Sequence, residues 1–202
     1  MKNPPKHDPK NFPLRRRAVV KRLLARRGNL LVVAGLGSCA WDVAAAGDSP
    51  RDFPLWGAMG GAVSIALGLA LARPQERVLC ITGDGEMLMG ITALTTIATL
   101  KPQNLAIAVL DNETYGETGG QPTATRAGAD LAAIAHGAGM ADCATVATAR
   151  NLPDAIKALR RAPGPVFRVI KVRFEELPLI MPPKDGALLR DRFRRALGLG
   201  EG

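Results

Sequence analysis

The sequence is poor in the residues that would announce several common chemistries. Its 202 residues hold three cysteines and two histidines. Cys39, Cys80 and Cys143 lie far apart, are odd in number and form no Cys-x-x-Cys pair. That excludes a zinc ribbon, a cysteine-held iron–sulfur cluster and a disulfide framework, and suits small buried thiols of a reduced, cytoplasmic protein. Aromatic residues make up only 4% of the chain, too few for base stacking. With no nucleic-acid module in view, no nucleic-acid partner is expected. No apolar run approaches the ~18 residues of a membrane span, so no membrane is expected either. The first residues, Met1 to His7, lack the apolar core of a secretory signal.

One charge sign is scarce relative to the other. The net charge is +9, with much of the excess between Lys2 and Arg27 and between Lys184 and Arg195. The plain reading is a solvated basic tail and helix face. The alternative is a surface that meets an acidic partner subunit or attracts an anionic substrate.

What is present is an alternation of apolar runs and helix-length segments. Residues 1–13, with four prolines, are expected to form an extended arm. Leu14 to Arg27 is expected as a basic helix. Strands are expected over Asn29–Ala34, Arg77–Thr82, Leu105–Leu110, Ala144–Ala147 and Pro165–Val172. Helices are expected over Cys39–Ala46, Gly60–Ala72, Glu86–Leu100, Asp130–Gly137, Asn151–Arg161 and Ala187–Leu197. Asp52 to Trp56 reads as a short extended segment, and Thr114 to Thr125 as a functional loop without periodicity. Strands alternating with helices predict an α/β fold with a doubly wound parallel sheet. The domain is expected over residues 14–177, followed by a tail and helix over 178–202.

Three glycine-marked segments carry the chemistry. Gly83-Asp84-Gly85 follows one predicted strand, and Asn112 stands 27 residues after Gly85, just past another. In a parallel sheet two such ends can lie side by side. A carboxylate and an amide oxygen are hard ligands, suited to Mg²⁺ that stays bound to a phosphate. Gly35-Leu36-Gly37-Ser38 ends the first strand and opens a helix, where backbone N–H groups and a hydroxyl can face an anion. The plain alternative is an ordinary turn with Ser38 as N-cap. The third segment is Trp56-Gly57-Ala58-Met59-Gly60, with Met59 readable either as core or as part of a site. Glu86 is readable as a first-turn glutamate that suits the helix dipole. His7 lies in the tail, and His136 reads as structural.

Gly-Asp-Gly, the spacer and the Asn site together resemble the thiamine diphosphate fingerprint, over about Asn29 to Val172. The resemblance implies thiamine diphosphate and Mg²⁺ as cofactors. It implies Asp84, Asn112 and the Thr114 backbone carbonyl as metal ligands, with Asp111 standing where relatives often have a first Asn. Gly83, Gly85, Glu86, Gly37 and Ser38 fall in the cofactor-binding set, the last two gripping the far end of the diphosphate. Gly57 would accept the 4′-amino group through its carbonyl, and Met59 would wedge between the cofactor rings. Tyr115 to Thr123 resembles the sulfopyruvate and phosphonopyruvate decarboxylase group, which implies a small anionic 2-oxoacid as substrate. Tyr115 joins the cofactor-binding set. Glu117 reads as a proton donor or acceptor, or equally as a surface charge.

Enzymes of this kind activate the cofactor with a glutamate from a second, pyrimidine-binding domain. This chain resembles only the diphosphate half. The resemblance therefore implies a separate pyrimidine-binding-domain subunit in a hetero-oligomer, at least α2β2. A carboligase, a 2-oxoacid oxidoreductase subunit and a non-catalytic protein with a relic pocket are the other readings.

Overall fold

A computed structural model describes residues 10–200; most of the arm expected over residues 1–13 lies outside them. The helices are α1 (Arg16–Leu24), α2 (Ser38–Ala45), α3 (Ala62–Ala72), α4 (Asp84–Met89), α5 (Ala93–Leu100), α6 (Leu131–Gly137), α7 (Leu152–Arg161) and α8 (Gly186–Ala196). The strands are β1 (Leu31–Ala34), β2 (Asp52–Pro54), β3 (Val78–Gly83), β4 (Leu105–Asp111), β5 (Thr114–Tyr115), β6 (Gln121–Pro122), β7 (Asp142–Val146) and β8 (Val166–Lys171). Six of them form one parallel sheet in the order β2-β1-β3-β4-β8-β7.

The central strands are near-continuous apolar runs because helices cover both faces of the sheet. Alternate residues go to opposite sides. Leu31, Val33, Cys80, Ile107 and Phe167 pack with α3, α5, α6 and α8. Val32, Ala34, Leu79, Ile81, Ala108 and Ile170 pack with α1, α2 and α7. The fold is the doubly wound α/β sheet expected from the sequence.

Several elements differ from expectation for tertiary reasons. Asp52–Pro54 is an edge strand, in parallel register with Val32–Ala34. The helix expected over Glu86–Leu100 is broken into α4 and α5 at Gly90. A Cβ on Gly90 would come within 2.3 Å of the Gly60 carbonyl oxygen, so the break admits the backbone that precedes α3. The loop expected over Thr114–Thr125 contains an antiparallel hairpin, with Thr114 opposite Pro122 and Tyr115 opposite Gln121. The C-terminal helix packs on the sheet: Phe193 and Leu197 are buried in one core, and the Phe193 ring lies 5.3 Å from that of Phe53.

The Gly90 contact yields a stability prediction. Gly90→Ala should overpack the α4–α5 junction and cost about 1–3 kcal/mol. Chemical denaturation of parent and variant measures it; an unchanged midpoint would show that the Gly60 loop yields freely.

Candidate cofactor site

Strand order places the site. From β1 the chain runs outward to β2, then crosses back to β3 and continues to β4. The winding reverses between β1 and β3, and ligands of open α/β sheets bind at such a point, outside the strands' carboxyl ends. Gly35 to Ser38 follow β1, Gly83 to Gly85 follow β3, and Asn112 follows β4. A cavity of about 480 Å³ opens there. Its wall includes Ser38, Met59, Gly83, Asp84, Gly85, Glu86, Asn112, Thr114, Tyr115 and Glu117 from the expected set. Gly37 adjoins the cavity through Glu117, whose Cγ would lie 2.6 Å from a Cβ on Gly37.

Asp84 opens α4 and is 2% exposed. Its Oδ2 accepts hydrogen bonds from the hydroxyls of Thr123 (2.5 Å) and Thr125 (3.2 Å). Thr125 also lies 2.9 Å from Asp111 Oδ1, so one hydroxyl ties the ends of β3 and β4 together. The side-chain bonds to Asp84 converge on Oδ2; its other oxygen takes none of them. Burial, followed by repulsion from Asp111, pushes the Asp84 carboxyl up to about 6, against the pull of the two threonines. A buried carboxylate held above its usual range is the electrostatic counterpart of a cation site.

The turn after β4 is built to hold its shape. Asn112 Oδ1 accepts the Thr114 N–H at 3.0 Å, and Glu113 adopts a positive φ of 59°. Lys171 donates to Asp111 (2.9 Å) and Glu113 (2.6 Å). Burial disfavours the Lys171 charge, but the two carboxylates outweigh it and raise its pKa. Thr114 stands opposite Pro122 in the hairpin. The carbonyls on either side of it, Glu113 and Tyr115, accept from the N–H groups of Thr123 (3.2 Å) and Gly120 (2.9 Å). By alternation the Thr114 carbonyl turns to the other side of the strand, away from the hairpin. One carboxylate, one amide oxygen and one backbone carbonyl are thus gathered. They suit a hard cation whose remaining coordination comes from phosphate and water. Among the described residues no trio of His, Cys, Asp or Glu side chains is placed to hold a metal by itself.

Glu86 stands in the first turn of α4, as its plain reading has it, and is buried there. It is 6% exposed and accepts the Thr82 hydroxyl at 2.8 Å. Burial raises its carboxyl pKa, with the Thr82 bond opposing. A Cβ on Gly35 would collide with Glu86 Oε2, so Gly35 is small because this carboxylate lies beside the β1 turn. The backbone N–H groups of Ala62, Gly60 and Leu36 also approach this carboxyl and oppose the rise, while no well-aligned hydrogen bond reaches Oε1.

Met59 is 38% exposed and lines the cavity, so it belongs to neither core. Trp56 stacks edge-on against Trp41, with centroids 5.2 Å apart. A Cβ on Gly57 would meet nothing within 4 Å, so space does not demand glycine there. Cys39 lines the cavity, but burial pushes its thiol well above the ordinary value; it is an inert wall residue. His136 is exposed on α6 and does not line the cavity. Sequence reasoning missed Thr123, Thr125, Lys171 and Arg16. Both threonines lie in the loop marked as functional, Thr114 to Thr125. Arg16 was hidden among basic residues read as solvated, yet it is 5% exposed and lines the cavity.

The family model for the thiamine pyrophosphate enzyme C-terminal TPP binding domain matches residues 35–170. The chain belongs to this family. It is 36% identical over 160 residues to the sulfopyruvate decarboxylase subunit beta of Methanothermobacter thermautotrophicus, covering 79% of this chain and 83% of that one. It is 33% identical to the phosphonopyruvate decarboxylase of Streptomyces viridochromogenes, over 88% of this chain and 45% of that one. The benzoylformate decarboxylase of Polynucleobacter necessarius superposes with a TM-score of 0.72 at 23% identity, over 88% of this chain and 36% of that one; this likeness concerns the fold alone. The chain thus spans less than half of two of these relatives. The family and the decarboxylase relatives support thiamine diphosphate as cofactor. Among the described residues no helix is long and apolar enough to cross a membrane.

Proposed function

We propose that this chain is the thiamine diphosphate- and Mg²⁺-binding subunit of a two-subunit 2-oxoacid decarboxylase. Its substrate would be a small dianionic 2-oxoacid such as sulfopyruvate or phosphonopyruvate. The observation that carries the reading is the joining of Asp84 and the Asp111–Thr114 turn by Thr125, at adjacent strand ends in one cavity. The substrate class is supported by the relatives' names. Asp84, Asn112 and the Thr114 carbonyl would hold Mg²⁺, and Gly83, Gly85, Gly37 and Ser38 would border the diphosphate. When bound, the cofactor supplies an electron sink for the carbanion left by CO₂ loss. Glu86 would border the cofactor as a buried carboxyl held by the Thr82 hydroxyl and by backbone N–H groups. Met59 would support the bent cofactor, and Glu117 stands at the cavity wall where a proton could be exchanged.

The catalytic cleft would be completed by a pyrimidine-binding subunit, in at least an α2β2 assembly working in the cytoplasm. Release of CO₂ from sulfopyruvate and phosphonopyruvate by the reconstituted pair is the test. Failure with both, in the presence of bound cofactor, would refute the substrate class.

Met59 carries a separate expectation. Met59→Ala should leave the metal pocket intact but slow loss of the proton from thiazolium C2. Deuterium exchange at C2, followed by NMR, checks this. Parental exchange would show that Met59 fills space only.

A further inference from the structure

The charged residues of the cavity wall are acidic apart from one. Asp84, Glu86 and Glu117 contribute three carboxyl groups, and Arg16 is the single cation among the lining residues. Burying a guanidinium is costly unless it is paired. Arg16 is paired on one side: its Nε donates to Asp42 Oδ2 at 2.5 Å. Asp42 is fully buried, and its other oxygen accepts Arg17 Nε at 2.8 Å. Two guanidiniums therefore share one carboxylate, and a positive charge is left over. Among the described bonds Arg16 uses only Nε; the fork of its terminal nitrogens is available to a ligand.

Arg16 pairs with Asp42 within α2 and shares the cavity wall with Ser38 and Cys39 at that helix's start. This helix opens at Ser38 with no side chain capping it, and Gly37 has a positive φ of 69°. The Ser38 hydroxyl donates to Glu117 Oε1 at 3.2 Å, and the Glu117 side chain lies against Gly37. A carboxylate from the hairpin loop thus rests at an uncapped helix N-terminus, where anions are favoured.

We propose that Arg16, held by Asp42, anchors a tetrahedral oxyanion at the Gly37–Ser38 end of the cavity, in the place the Glu117 carboxylate takes in this structure. The inference rests on the proposed function. The shared chemistry is a phosphate-like group, from either the terminal phosphate of the cofactor or the phosphonate or sulfonate of the substrate. Ligand entry then requires the hairpin carboxylate to withdraw.

Full-length Arg16→Gln, Arg16→Lys and Glu117→Gln chains test this, each titrated calorimetrically with thiamine diphosphate at saturating Mg²⁺ and with inorganic pyrophosphate. Arg17 still pairs with Asp42 in the first variant, and lysine keeps the charge in the second; thermal melting confirms folding. Arg16→Gln should weaken both probes roughly tenfold to a hundredfold, and Arg16→Lys by less, because it loses the planar fork only. Glu117→Gln should tighten both several-fold by removing the competing charge. If dissociation constants hold but KM for the 2-oxoacid rises about tenfold in the assembled Arg16→Gln enzyme, the substrate is the source of the oxyanion. Folded Arg16 variants with parental constants and parental KM overturn the proposal, as does weaker binding by Glu117→Gln. If these variants bind as the parent does while Asp84→Ala does not bind, the anchor is wrong and the cofactor site stands. A parent chain and assembled pair that bind neither probe overturn both.

Discussion

Asp84→Asn should separate stability from binding. Burial and Asp111 hold the Asp84 carboxyl at about 6 in the folded chain, against an ordinary 3.8. The folded state thus binds this proton more tightly than the unfolded one. Stability is undiminished below pH 3.8, falls as pH rises between 3.8 and 6, and stays reduced above that range. At ~1.4 kcal/mol per unit, the shift corresponds to an upper bound of about 3 kcal/mol. Asparagine keeps an oxygen for Thr123 and Thr125 but carries no charge. The variant without ligand should therefore melt several degrees higher than the parent at pH 8, and at the parental temperature at pH 3. The same change removes the only carboxylate in the proposed ligand set. Affinity for Mg²⁺ and thiamine diphosphate should fall by at least the ~10-fold that even outer-shell changes produce. A variant that is neither more stable at pH 8 nor weaker in binding would remove Asp84 from the centre of the site.

The purified chain by itself should turn over no 2-oxoacid at any concentration of Mg²⁺ or thiamine diphosphate. The reason is geometric. The single six-stranded sheet presents one wall of the proposed cleft, and that wall carries the glycine turns and the proposed metal ligands. Self-association would bring a second copy of the same wall, without the glutamate that activates the pyrimidine ring. Adding a pyrimidine-binding subunit should raise turnover from background by several orders of magnitude, the scale on which cofactor activation acts. Assays with and without a co-purified partner decide it. Robust turnover by the isolated chain would refute the two-subunit architecture.

The parts of the site legible in the sequence are those that local chemistry marks. Apolar runs ending in glycine located β1, β3 and the turns after them, because buried parallel strands and close backbone approach leave that signature. The candidate ligands Asp84 and Asn112 followed from hard-ligand chemistry and a resemblance. What was not legible depends on contacts distant in sequence. Gly90 interrupts a good helical pattern only because Gly60 arrives there. Glu86 is internal because Thr82 and the Gly35 turn receive it. Arg16 is the instructive case. Composition alone cannot choose among Arg15, Arg16 and Arg17, but the helical phase could have: Arg16 shares a face with Val19, Val20 and Leu23, all buried.

The most direct test of the central claim is calorimetric titration of the chain, assembled with a pyrimidine-binding subunit, with thiamine diphosphate and with unphosphorylated thiamine, each with and without Mg²⁺. The account predicts saturable binding of thiamine diphosphate that depends on Mg²⁺ and is lost in Asp84→Ala, with no comparable binding of thiamine. Equal binding of both compounds, or binding indifferent to Mg²⁺ and to Asp84, would contradict it.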